Sequence, residues 1–174
     1  NGGNDDDSNC LTVNFNEISV QSFGGSQDRG TAEITDGGKG VFLSGNAWKG
    51  IPLEYDITSE TVLRFEFKST KRPEIAGVGM DENTSISASR VFQLYGSQSW
   101  GIRTFKNYSG NGEWKTYEIP IGTFYTGRMQ HLFFSADHDR SPRDGNAHFR
   151  NFYLYETTPC DASPGTANLS PQLN

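Results

Sequence analysis

The chain is poor in the residues from which catalytic and metal–thiolate sites are commonly assembled, with two Cys, two Met and three His among 174 residues. The histidines, His131, His138 and His148, stand in no spacing tied to a known mechanism. There is no G-x-S-x-G nucleophile turn, no H-E-x-x-H zinc helix, no glycine-rich phosphate loop and no C-x-x-C pair. Catalysis would therefore have to come from carboxylates partnered only in space, as in glycoside hydrolysis. No run of about 20 apolar residues is present, which argues against a membrane-spanning helix. Positive charge is in the minority, 15 Lys and Arg against 21 Asp and Glu, for a net charge of -6. Nucleic acid, whose affinity comes mainly from phosphates neutralised by Lys and Arg, is thereby a disfavoured partner. A strongly anionic polymer is disfavoured for the same reason, unless a local basic patch reverses the balance.

Helical patterning is scarce as well, since no long segment carries apolar residues at three-to-four-residue spacing. What the chain does hold is 20 Gly and 12 Phe, a composition of strands and turns. Its length suits one domain with a substantial core. "NGGNDDDSN" at the start and "DASPGTANLSPQLN" at the end are small, polar and turn-prone. They read as linker or tail, so residues 1–10 and 161–174 are expected to flank a single module over residues 11–160. A first residue Asn1 without Met or a signal-like segment suggests a mature protein or a piece of a larger one.

Short apolar or alternating runs, broken by Gly, Asn, Asp, Ser and Pro, fill the module and predict an all-β antiparallel sandwich. The expected strands are Leu11 to Val20, Thr31 to Thr35, Gly40 to Ser44, Ala47 to Leu53, Thr61 to Ser69, Glu74 to Asp81, Val91 to Tyr95, Gly101 to Phe105, Trp114 to Pro120, Gln130 to Ala136 and His148 to Tyr155. Alternation assigns faces. In "TVLRFEFKS", Leu63, Phe65 and Phe67 share the buried face and Arg64, Glu66 and Lys68 the wet one. In "AWKGIPL", Ile51 and Leu53 point inward, leaving Trp48 and Gly50 outward, provided no bulge intervenes. "VFQLYG" turns Gln93 and Tyr95 outward, while Gly77 and Gly79 leave space for a flat ligand or a large neighbour.

Three constellations carry chemistry. The loop "DHDRSPRDGN" gathers Asp137, Asp139, Asp144 and Asn146, hard oxygen ligands in an irregular segment that suits calcium, with Asp28 a further donor from another loop. The alternative is a solvated turn with internal Asp–Arg pairs. Among the aromatic residues, Trp48 is expected to be uncovered, and Trp100 lies in "YGSQSWGIRTF", where a large apolar ring is unexpected unless something covers it. Lys49, Gln93, Tyr95, Gln98 and Arg103 are close in sequence to these rings and could bond the hydroxyls of a stacked sugar. Trp114, delivered into a strand by a turn, reads as structural. Finally, Cys10 and Cys160 bracket the patterned region. They are either two unrelated thiols or a disulfide clasping its ends, and the disulfide would imply an extracellular protein.

The order of "SQDRGTAEITDGG", "LSGNAWKGIPLEYDITSETVLRFEFKS", "EIAGVGMD", "FQLYGSQSWG", "WKTYEIPIGTFYTG" and "LFFSADHD…HFRNFYLYE" resembles that of noncatalytic carbohydrate-binding modules. These are galactose-binding-domain-like jelly rolls appended to secreted polysaccharide-degrading enzymes. The resemblance spans roughly Leu11 to Glu156. It implies two sheets, one holding "TVLRFEF", "WKTYEIP" and "HFRNFYLYE", the other "AWKGIPL", "EIAGVGM", "FQLYG" and "HLFFSA". It further implies a structural calcium, a polysaccharide ligand, a parent catalytic domain in the same chain, a monomer and no catalytic residues. With an acidic chain a neutral glycan such as agarose, xylan or a β-glucan is favoured. An interaction module without a sugar site, or a small jelly-roll lyase or hydrolase, are the other readings.

Overall fold

A computed structural model describes residues 10–157, so Cys160, and with it the expected Cys10–Cys160 disulfide and both tails, lies outside the described residues. Among the described residues eleven strands run in the order β1 (Cys10–Thr12), β2 (Gln21–Ser22), β3 (Thr31–Thr35), β4 (Gly40–Ser44), β5 (Ala47–Ile57), β6 (Thr61–Lys68), β7 (Ile75–Asp81), β8 (Val91–Tyr95), β9 (Lys115–Ile119), β10 (Gly127–Asp137) and β11 (Asn146–Glu156). All named pairings are antiparallel. They form two sheets, β3-β4-β11-β6-β9 with β1 also on β11, and β2-β5-β10-β7-β8. The fold is an all-β antiparallel sandwich, with the sheet membership expected from the sequence. No helix among the described residues is long and apolar enough to cross a membrane.

The core lies between the sheets and is rich in phenylalanine. Leu63, Phe65 and Phe67 of β6 are fully buried, and alternate with Arg64, Glu66 and Lys68 on the outer face. Phe65 stacks on Tyr117 with centroids 5.5 Å apart, and Phe134 of the other sheet meets Phe149 at 5.8 Å. Strand β11 carries a register shift between Arg150 and Tyr153, where Asn151 adopts φ 55°, a left-handed conformation Asn tolerates better than most residues. The extra residue turns both Phe149 and Phe152 toward the core.

Two expected strands are largely absent. The segment from Leu11 to Val20 leaves β1 after Thr12, because Asn14 accepts the Asn16 N–H at 3.0 Å on its own side chain and a turn follows. Gly101 to Phe105 contributes one parallel bridge, Phe92 with Ile102, and is otherwise loop.

Candidate functional site

Strands β5, β7, β8 and β10 place one row of side chains on the outer face of their sheet: Trp48, Ser135, Gly77 and Gln93 pair across it. The face assignment of Trp48 holds, because the irregularity in the β5–β10 pairing falls beyond Pro52. The expectation that Trp48 is uncovered does not. Its indole is 2% exposed and packs in a second apolar cluster with Phe23, Val91 and Phe133, against which Ile86 and Trp100 also rest. Phe23 stacks on Phe133 at 4.6 Å, and Trp100 meets Trp48 edge to face at 6.1 Å. The covering groups come from three remote segments, so strand alternation alone could not reveal them. Gly77 and Gly79 face this cluster, and the space above them goes to Val91 and Phe133.

Gln93 is likewise buried rather than presented to a ligand. Its Nε2 donates to the Gln98 carbonyl at 2.8 Å, and its Oε1 accepts the Trp100 N–H at 2.9 Å. The loop is held from other sides too. Ser97 N–H donates to Pro73 O at 3.1 Å, Gln98 N–H to Glu74 O at 3.0 Å, and Lys106 Nζ to Gln98 O at 2.9 Å and Ser99 Oγ at 2.8 Å. Residues 97–100 are thus a fixed polar loop carrying a partly exposed Trp100, with Gln98, Ser99 and Arg103 exposed around it. Tyr95 turns instead toward Tyr108, 5.0 Å away, on the core side. Lys49 is bound to Asp28 at 2.7 Å and only 16% of its side chain is exposed, so it too is spent internally.

Of the expected metal ligands, Asp137 and Asp139 come together, joined by Glu74, which the sequence reading omitted. One carboxylate oxygen from each lies within 4.8 Å of the others. Glu74 is adjacent because β7 begins beside the end of β10, where the Glu74 N–H donates to Asp137 O at 2.9 Å. The β7–β10 pairing was the signal that could have found it. Glu74 Oε2 accepts the Asp139 N–H at 3.1 Å, and Trp48 Nε1 donates to Asp137 Oδ2 at 2.7 Å. Burial, reinforced by the Asp139 charge, holds Asp137 above the usual carboxylate range despite the opposing Trp48 hydrogen bond. Arg140 stands 3.9 Å from Glu74 on a side chain 86% exposed, and so offsets little of the clustered negative charge, while Arg143 Nε donates to the Asp139 backbone carbonyl at 3.0 Å.

Asp28, Asp144 and Asn146 are not part of this group. Asp28 accepts from Ser22 Oγ at 2.6 Å, Trp48 N at 3.1 Å and Lys49. Asp144 pairs with Lys71, and the buried Asn146 caps Thr70 N at 3.0 Å and donates to Thr70 Oγ1 at 2.8 Å. Asp28 and Asn146 thus spend both side-chain polar atoms on these contacts, and Asp144 holds Lys71.

No protein-family model and no curated protein matches the chain. Solved structures of similar shape include the Endo-D glycoside hydrolase domain from Streptococcus pneumoniae R6, at 16% identity and TM-score 0.47 over 79% of this chain and 21% of that one. SGBP-B from a complex xyloglucan utilization locus in Bacteroides uniformis is similar at 15% identity and TM-score 0.49, over 84% of this chain and 49% of that one. The low affinity xylan binding module CBM86 from Roseburia intestinalis is similar at 12% identity and TM-score 0.46, over 84% of this chain and 94% of that one. The chain therefore spans about a fifth and about half of the first two.

Proposed function

We propose that the chain is a noncatalytic, extracellular carbohydrate-binding module that docks a saccharide on the loop edge around Trp100 and holds a parent polysaccharide-acting domain near its polymer. The observation that carries this is a partly exposed indole on a loop whose backbone is already fixed by the buried Gln93 amide. A ring ordered before binding offers its face to sugar C–H groups without the ordering cost that a mobile loop would incur. Gln98, Ser99 and Arg103 supply polar contacts beside it. Tethering then raises the local concentration of the parent enzyme without chemistry in this domain. A neutral glycan such as agarose, xylan or a β-glucan suits a chain of net charge -6.

Affinity electrophoresis in gels containing each of these polymers tests the reading. The wild type is expected to be retarded by at least one, and Trp100→Ala to lose that retardation by roughly tenfold or more in affinity. Retardation by none, or equal retardation of the variant, would remove the proposal.

Glu74, Asp137 and Asp139 fit a structural calcium ion. They are three hard oxygen donors beside irregular backbone, and the cation within ion-pair distance of them among the described residues, Arg140, is largely exposed. When bound, the ion would neutralise these charges and fasten the loop after β10 to the start of β7. Calcium is expected to raise the Tm, by roughly 2–4 °C per kcal/mol of linkage, and a chelator to reverse this. Because Asp137 holds its proton unusually well, the gain should shrink as pH falls into its titration range. A melting curve indifferent to calcium and chelator, or a gain retained in Glu74→Gln, contradicts the assignment. The Cys10–Cys160 disulfide would clasp the two ends of the module, in keeping with an extracellular location.

A further inference from the structure

The opposite face of the sandwich carries an aromatic row that the site at Trp100 does not use. Register across the larger sheet aligns Glu33 of β3, Phe42 of β4, His148 of β11 and Lys68 of β6. Trp114, one residue before β9, extends the row, since Lys115 pairs with Phe67. Neighbouring strands are about 4.8 Å apart, close to the width of one pyranose ring. Phe42 and His148 have centroids 4.4 Å apart, and His148 meets Trp114 edge on at 6.1 Å. All three rings are partly exposed.

The Trp114 indole has two cations over its ring. It comes from the edge strand yet reaches past β6, bringing its centroid 3.9 Å from the Arg150 guanidinium on β11 and 4.8 Å from Lys68 Nζ. Both cations stand over the ring, which remains partly exposed beside them. Only the sheet order reveals what the ring lies across.

Charge on this face is uneven. Arg150 is neutralised by Glu66 through two contacts of 3.1 and 3.2 Å. Lys68 has no carboxylate within ion-pair distance among the described residues. The acids Glu33 and Asp36 lie at the β3–β4 end. Burial, with the Lys68 charge adding to it, pushes His148 down to about 4, so at neutral pH the ring is uncharged and Lys68 is the cation beside Trp114 without a carboxylate partner among the described residues. A protein partner would need a larger patch with an apolar centre, whereas the rows beside these rings are Arg64, Glu66 and Glu118.

We propose that this face is a second saccharide platform, on which a sugar unit bearing a carboxylate or sulfate stacks on Trp114 with Lys68 as its counter-charge. Together with a neutral-sugar site at Trp100, it suits a polymer whose neutral backbone carries acidic substituents, although it rests on its own residues.

The test is native affinity electrophoresis of the full chain in gels containing polygalacturonate or ι-carrageenan, at low and raised NaCl. The wild type is expected to be retarded in at least one, carboxylate or sulfate being told apart by which gel responds. Lys68→Gln and Trp114→Ala should each weaken this by roughly tenfold and Lys68→Gln should flatten its salt dependence. No retardation in either gel overturns the proposal, as does equal retardation of Lys68→Gln and wild type. A dimer in the wild type that Trp114→Ala abolishes would instead assign the face to a second copy and overturn it too. Loss or survival of neutral-polymer binding in Trp100→Ala changes none of these outcomes.

Discussion

Trp48→Ala is expected to lower the unfolding free energy by about 3–5 kcal/mol, the range for removing a large aromatic side chain from a packed site. The indole is enclosed by Phe133, Phe23, Val91 and Trp100, and its N–H is bonded to Asp137 at 2.7 Å. Truncation would leave a void that strands β5 and β10 cannot collapse into, and would deprive a buried carboxylate of its donor. Against a total of about 5–15 kcal/mol for an ordinary domain, this is a large share. Urea unfolding measures it, at constant slope if the denatured state is unchanged. The uncovered Trp48 expected from alternation predicts the opposite, a variant with an almost unchanged midpoint. A loss under about 0.5 kcal/mol, typical of surface substitutions, would restore that reading.

Gln93→Leu is expected to act on binding as much as on stability. The side chain is fully buried and is the acceptor for Trp100 N–H as well as a donor to Gln98 O. Lys106 still reaches Gln98 O, but the Trp100 amide loses its partner. Leaving one buried group unpaired costs about 1–3 kcal/mol. The loop would then sample more conformations and the indole would have to be ordered on binding, so affinity for the saccharide should fall although no contacting side chain has changed. Hydrogen exchange at residues 97–100 and calorimetric titration check the two halves separately. Faster exchange with unchanged affinity would mean that loop order does not matter to the ligand.

The fold was legible where one property alternated cleanly. Strand β6 reads directly because its outer face is charged, and β7, β8 and β10 read as apolar runs between turn residues. Trp48 marks where that reading stops. Alternation tells which side of a sheet a residue leaves from, not what folds back over it, and here Phe23, Ile86 and Trp100 arrive from loops far apart in sequence. The acidic group divides in the same way. Asp137 and Asp139 are neighbours in the chain and were visible, whereas Glu74 joins them only through the pairing of β7 with β10. Asp28, Asp144 and Asn146 have the right chemistry for a metal, but Lys49, Lys71 and Thr70 claim them first. Trp114 was visible as a turn residue, and only the order β11-β6-β9 reveals what its ring covers.

The three tryptophans give three indole N–H signals, each reporting a different part of the molecule, and their behaviour on titration with xylo-, agaro- and β-gluco-oligosaccharides tests the central claim most directly. One of these neutral ligands should move the Trp100 signal strongly, the backbone signals of Gln98, Ser99 and Arg103 with it, and Trp48 weakly, while Trp114 stays in place. Spectra in which no oligosaccharide moves Trp100, or in which only signals remote from residues 97–103 respond, would contradict the account.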